Sequence, residues 1–152
     1  MRRPRLALVA CLIVFAAAAL ATRAVIAQEK PAETGKLAVT VQYAGKGAVD
    51  ASHRIWIWVF DTPNITAESM PVSVGMLAEN GGTYKFSGLP KEVYLALAYD
   101  ENGGYDGSAG PPPSGTPIAI HGAASGGAAA PVVTGGDDAV LKVTFDDSAR
   151  MP

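Results

Sequence analysis

TYKFSGLPKEVYLALAYDENGGYDG, residues 83–107, is the stretch whose reading decides the fold. Residues 83–86 are a short β-type run with Tyr84 and Phe86 on one face. Ser87-Gly88-Leu89-Pro90 reads as a turn that ends it, because Gly88 accepts positive φ and Pro90 has no N–H for a ladder. Residues 92–99 then alternate with period two: Val93, Leu95, Leu97 and Tyr99 point one way, Tyr94, Ala96 and Ala98 the other. Alanines on the second face imply that this face is covered as well. The strand runs out into an acidic Asn/Gly loop from Asp100 to Asp106.

The rest of the chain repeats this grammar. Residues 36–43 alternate with Leu37, Val39, Val41 and Tyr43 inward. Residues 53–61, HRIWIWVFD, place Ile55, Ile57 and Val59 on one face and Trp56, Trp58 and Phe60 on the other, as expected of a central strand covered on both sides. Residues 70–77 carry Val72, Val74 and Met76 on one face behind Pro71, which suits an edge strand. Asn80-Gly81-Gly82 predicts a hairpin joining that strand to residues 83–86. Residues 107–136 are dominated by Gly, Ala, Ser and Pro; within them 116–121 predict one short strand, and 122–131 a loop that tolerates deletion. Residues 138–146 close the domain with Leu141, Val143 and Phe145 inward, and 148–152 read as a tail. No mature segment holds a helical period over three turns. The expectation is an all-β fold, a single antiparallel β-sandwich of about seven strands, immunoglobulin- or prealbumin-like.

The beginning of the chain reads differently. Arg2, Arg3 and Arg5 precede an apolar run of 16 residues, Leu6 to Ala21, and Val25-Ile26-Ala27 puts small residues before Gln28. Residues 1–27 are therefore expected to be a signal peptide cleaved before Gln28, and 28–35 a linker to a domain at 36–147. A retained anchor is the alternative, but Arg23 interrupts the run. Leu8-Val9-Ala10-Cys11 has the form of a lipoprotein box; lipidation there would leave most of the apolar run on the mature chain, which argues against it. Without residues 1–27 the chain has no cysteine, so no disulfide, thiol nucleophile or thiolate metal site. Eight basic against fourteen acidic residues then remain, a net charge of −6 that argues against nucleic acid and anionic membranes as partners. The expected location is periplasmic or extracellular.

The stretch FSGLPKEVY followed by YDENGGYD resembles the bacterial carboxypeptidase-regulatory-like, or transthyretin-like, β-sandwich domains. Phe86, Gly88, Leu89, Pro90, Tyr94, Asp100, Asn102 and Asp106 carry the likeness; Glu92 stands where that family often has glycine, and Gly104 where it often has Asn or Asp. The resemblance implies a fold and almost nothing about activity.

Three constellations offer chemistry. Asp100, Asn102 and Asp106 stand at loop positions 1, 3 and 7, with Gly103 and Gly104 to allow a tight wrap, so they are candidate Ca²⁺ ligands; the plain alternative is a solvated turn. Trp56 and Trp58 are candidate sugar-stacking residues if exposed, and core residues otherwise. His53 and His121, the only histidines, are candidates for a hydrolytic base or metal ligand, although no H-E-x-x-H or G-x-S-x-G accompanies them. Asn64-Ile65-Thr66 is a glycosylation sequon that matters only in a eukaryotic host, and the alanine-rich leader looks bacterial. The expected function is that of an exported, non-enzymatic β-sandwich module with a binding or structural role, its partner a protein or a carbohydrate and Ca²⁺ its one candidate cofactor. A carbohydrate-binding module using the Trp pair and a small hydrolase using the two histidines are the alternatives. Intact mass of exported protein is expected to match a chain beginning at Gln28; a species retaining residues 1–27, or carrying lipid on Cys11, would overturn the leader assignment.

Overall fold

Strand β2, Ile55–Phe60, has every residue buried, so it needs apolar cover on both faces. The computed structural model, which describes residues 35–107, 110–123, 128–135 and 139–152, supplies two layers for it. The other strands are β1 (Gly35–Tyr43), β3 (Ser73–Leu77), β4 (Thr83–Leu89), β5 (Glu92–Tyr99), β6 (Ile118–Ile120), β7 (Val132–Val133) and β8 (Val140–Phe145). A three-stranded sheet in the order β4-β1-β8 faces a five-stranded sheet in the order β3-β2-β5-β6, with β7 paired to the start of β5. No helix occurs among the described residues. The fold is an all-β sandwich. The signal peptide and the first seven linker residues of the sequence reading lie outside the described residues.

The alternation read in the sequence sets the core. Leu37, Val39, Val41 and Tyr43 of β1 meet Ile55, Ile57 and Val59 of β2 and Val93, Leu95, Leu97 and Tyr99 of β5 between the sheets. The opposite face of the five-stranded sheet carries a second apolar cluster of Trp56, Trp58, Phe60, Tyr94 and Ala98, roofed by loop residues that include Ile65, Tyr105 and Ala129. Ala98 is fully buried there, as the small side chains of β5 imply.

Several connections differ from the local expectation. Asn80-Gly81-Gly82 makes no hairpin: β3 and β4 belong to different sheets, and the turn carries the chain across the sandwich. It docks on β1, where the Tyr43 N–H donates to Asn80 Oδ1 at 2.7 Å and Asn80 Nδ2 donates to the Tyr43 carbonyl at 2.8 Å. The side-chain amide thus stands in for a neighbouring strand. Ser87-Gly88 does not end β4 either. The strand continues to Leu89 through a bulge, Gly88 taking φ 71°, as the register slips between the Leu37–Phe86 and Gly35–Leu89 pairs. The sandwich is not wholly antiparallel, because β8 lies parallel to β1. Gly35 is strand rather than linker.

The segments expected to be loose are also packed where they are described. Residues 124–127 of the expected deletable loop lie outside the described residues. Beside them Ala129 is buried, and the Ala130 N–H donates to the His121 carbonyl at 2.8 Å. Val132–Val133 pairs with Glu92 and Val93, and buried Thr134 donates its hydroxyl to the Pro90 carbonyl at 2.6 Å. Residues 148–152 form a strap, not a tail: the Ile118 N–H donates to Ala149 and the Met151 N–H to Thr116. Arg150 joins Glu101 at 2.7 Å.

One end of the sandwich is closed by tyrosines. Tyr43 stacks on Tyr99 with centroids 4.2 Å apart. The Tyr43 hydroxyl donates to Asp147 Oδ1, and the Lys46 N–H donates to Asp147 Oδ2. The Tyr43 hydroxyl, and then the Lys46 amide, hold the Asp147 carboxyl below the usual range; burial, and then the bond to Asp147, hold the Tyr43 phenol above its own. A carboxyl depressed in the fold adds stability above its unfolded value near ~4 and loses it as pH falls through the folded value. A phenol raised in the fold adds stability below ~10 and loses it as pH climbs through the folded value. Urea melts across pH should therefore show a plateau between these limits. Tyr43→Phe should lower the plateau and flatten the acid limb; an unchanged acid limb would remove the Tyr43–Asp147 bond as its cause.

A candidate binding surface along an open sheet edge

The acidic loop is built on Asp100, the first residue beyond β5. Its carboxylate is buried and its Oδ2 accepts the Tyr105 N–H at 2.9 Å, while its own N–H donates to the Arg54 carbonyl at 2.9 Å. Gly103 and Gly104 take φ 72° and 84°, which the closure of so short a loop requires. Asn102 and Asp106 are exposed, and Glu101 pairs with Arg150. The three residues read as Ca²⁺ ligands thus divide between a buried loop closure and two exposed side chains. Among the described residues, no three His, Cys, Asp or Glu side chains gather to hold a metal ion.

The tryptophan pair is interior. Trp56 and Trp58 are 9% and 7% exposed, and their rings stack at 6.4 Å under the edge of Tyr105. Gly107 lies on the Trp56 ring so closely that a methyl group there would run into it, and its carbonyl accepts the Trp58 indole N–H at 3.3 Å. The Trp56 indole N–H is buried and has no partner among the described residues. Stacking on a sugar needs an open ring face, which this packing does not leave.

The histidines are kept apart. The His121 N–H donates to the Leu95 carbonyl, whereas His53 lies just beyond Arg54, whose carbonyl accepts from Asp100. The span from Leu95 to the level of His53 is about six residues of β5, roughly 20 Å at the rise of a strand. His53 lies 3.1 Å from Asp50 at the wall of a shallow cleft of about 390 Å³ that Lys46 and Glu101 also line. The backbone N–H groups of His53 and Ser52 hold the Asp50 carboxyl below its usual range. Among the described residues no serine, threonine or cysteine lines this cleft, so no hydroxyl–His–Asp or thiol–His–Asp arrangement forms around the His53–Asp50 pair.

The feature that local reading missed is the state of the sheet edges. The outer side of β6 is covered by the strap through Ile118. Edge strand β4 carries exposed Lys85 and the Gly88 bulge, and edge strand β8 carries exposed Lys142, both common blocks to further pairing. Strand β3 has neither. Residues 70–78, MPVSVGMLA, hold no charge, and Pro71 alone guards their start. Ladder parity shows which backbone groups are free there. The Asp100–Arg54 bond makes even-numbered residues of β2 face β5, so Ile55, Ile57 and Val59 face β3 and pair with Leu77, Gly75 and Ser73. Val74 and Met76 therefore turn their N–H and C=O groups outward, where no strand lies among the described residues.

A groove of about 390 Å³ runs along this edge, lined by Trp56, Val74, Gly75, Met76, Tyr84 and Asp106. Trp56 comes from the outer face of the sheet and Tyr84 from β4 on the core side, so the groove wraps the edge of β3. Met76 in the groove is 46% exposed, and Met70 and Val72, just before β3, are 83% and 43% exposed. Arg54 Nη1 lies 3.5 Å from Met76 Sδ.

Trp56→Ala should cost about 3–5 kcal/mol in urea melts, the range for emptying a large aromatic site in a core. The wild-type emission should be blue-shifted and indifferent to sugars. A loss under about 1 kcal/mol would place the ring at the surface. No protein-family model, no curated protein and no solved structure matches the chain, so its likeness to carboxypeptidase-regulatory-like domains rests on the residues between Phe86 and Asp106 that carry it.

Proposed function

We propose that this protein is an exported, non-enzymatic β-sandwich module that binds another polypeptide by strand addition along β3. The outward peptide groups of Val74 and Met76 carry the reading, since only an extended backbone can satisfy both in the spacing of a ladder. The apolar groove beside them supports it by offering a place for alternate side chains of the added strand. The Arg2-Arg3-Arg5 leader and the small residues before Gln28 support export.

Selection of random twelve-residue peptides on immobilised protein tests the reading. The expected winners are extended, uncharged sequences rich in β-branched residues. Met76→Pro removes one outward N–H without removing a bond to β2, a change that edge strands tolerate. It should reduce retention of those peptides at least tenfold with the melting temperature little changed. Peptides that bind wild type and variant equally, or no enrichment at all, would sink the proposal.

A further inference from the structure

We infer that the strand added to β3 is β3 of a second copy, so that two molecules join their five-stranded sheets across a two-fold axis at Gly75. The inference rests on the edge reading above and adds the identity of the occupant. An antiparallel pair centred on Gly75 sets Val74 of each copy opposite Met76 of the other. Those are the residues whose N–H and C=O groups point outward, so the two pairs exchange four hydrogen bonds. Gly75 then faces its own copy in the non-hydrogen-bonded position, where Cα atoms approach to about 4.5 Å. It is the one residue of 70–77 without a side chain, so the closest approach meets no obstacle.

Charge along the strand itself agrees with this register. A two-fold axis brings each residue on it against its own copy, and here that residue is uncharged although the chain without its leader carries −6. The nearest acid along the chain, Glu79, falls opposite Pro71 of the second copy rather than opposite another acid. Exposed Met76 and Val72 come to lie against the second copy's strand. Two five-residue edges and a few apolar side chains cover less than the ~1,600 Å² of a standard interface, so the pair is weak and concentration-dependent.

Sedimentation velocity of the exported protein from about 10 µM to 1 mM, bracketing the range expected of so small an interface, tests the pairing. The weight-average coefficient should rise toward that of a dimer. Amide exchange supplies a parity check: Val74 and Met76 should slow at least tenfold between the ends of that range, while Gly75, already bonded to β2, should not change. Met76→Pro and Met76→Lys should each stay monomeric throughout with wild-type circular dichroism; the lysine variant keeps the test open if proline disturbs the strand. A wild-type monomer at every concentration, or a dimer that survives both variants, overturns the inference. A wild-type monomer that still selects extended peptides removes self-pairing alone; one that selects none removes the edge reading with it.

Discussion

Strand β2 imposes one constraint on everything else: six consecutive residues, alternately aliphatic and aromatic, all leave water. Burying a side chain of this size gains roughly 1.5–3 kcal/mol, but only if something lies on each face. The three-stranded sheet covers the aliphatic face. Among the described residues no second sheet lies on the aromatic face; loops cover it, through Ile65 and Tyr105 and, at the closest approaches, through glycine and alanine. Gly107 sits directly on the Trp56 ring, and Ala129 packs into the same cluster. The Gly/Ala-rich composition of residues 107–136, which by itself looks like low complexity, is thus partly a packing requirement. The cover is imperfect among the described residues: the Trp58 indole N–H reaches the Gly107 carbonyl, while that of Trp56 finds no partner there. A buried donor left unmade costs about 1–3 kcal/mol, which the area buried by the ring has to offset.

The same constraint explains the open edge. A central strand covered on both faces needs neighbours on both sides, and β5, with six of its eight residues buried, is one of them. Strand β3 supplies the other side of β2 and has to cross at once to the three-stranded sheet through Asn80-Gly81-Gly82. Asn80 and Gly81 spend their hydrogen bonds on the end of β1, not on the flank of β3. That leaves Val74 and Met76 facing outward. The opposite edge of the same sheet is treated differently, because the Arg150 strap runs along β6 and is tied down through Glu101.

Much of the core was legible from period-two alternation. Leu37, Val39, Val41 and Tyr43, the two faces of β2 and the two faces of β5 all lie where their spacing puts them. The burial of the tryptophans was legible too, because three large aromatics alternating with three aliphatics cannot all reach water from a central strand. The candidate surface was half legible: Pro71 marked β3 as an edge, but nothing local said whether that edge would be covered. The metal reading of Asp100, Asn102 and Asp106 came from oxygen spacing alone. Spacing carries no information about burial, and burial sends Asp100 inward to the Tyr105 amide.

What the sequence by itself determined is which residues share a face, since strand geometry makes that a local property of period two. What only the tertiary structure decided is which strands share a sheet. The Asn80-Gly81-Gly82 turn has hairpin chemistry and is used for a crossing, because the side chain of Asn80 finds Tyr43, 37 residues away, instead of a neighbouring strand. The parallel partnership of β1 with β8 and the closing bond from Tyr43 to Asp147, 104 residues apart, depend on where the chain returns. So does the open side of β3, because whether a strand ends as an edge depends on where the other described strands have gone.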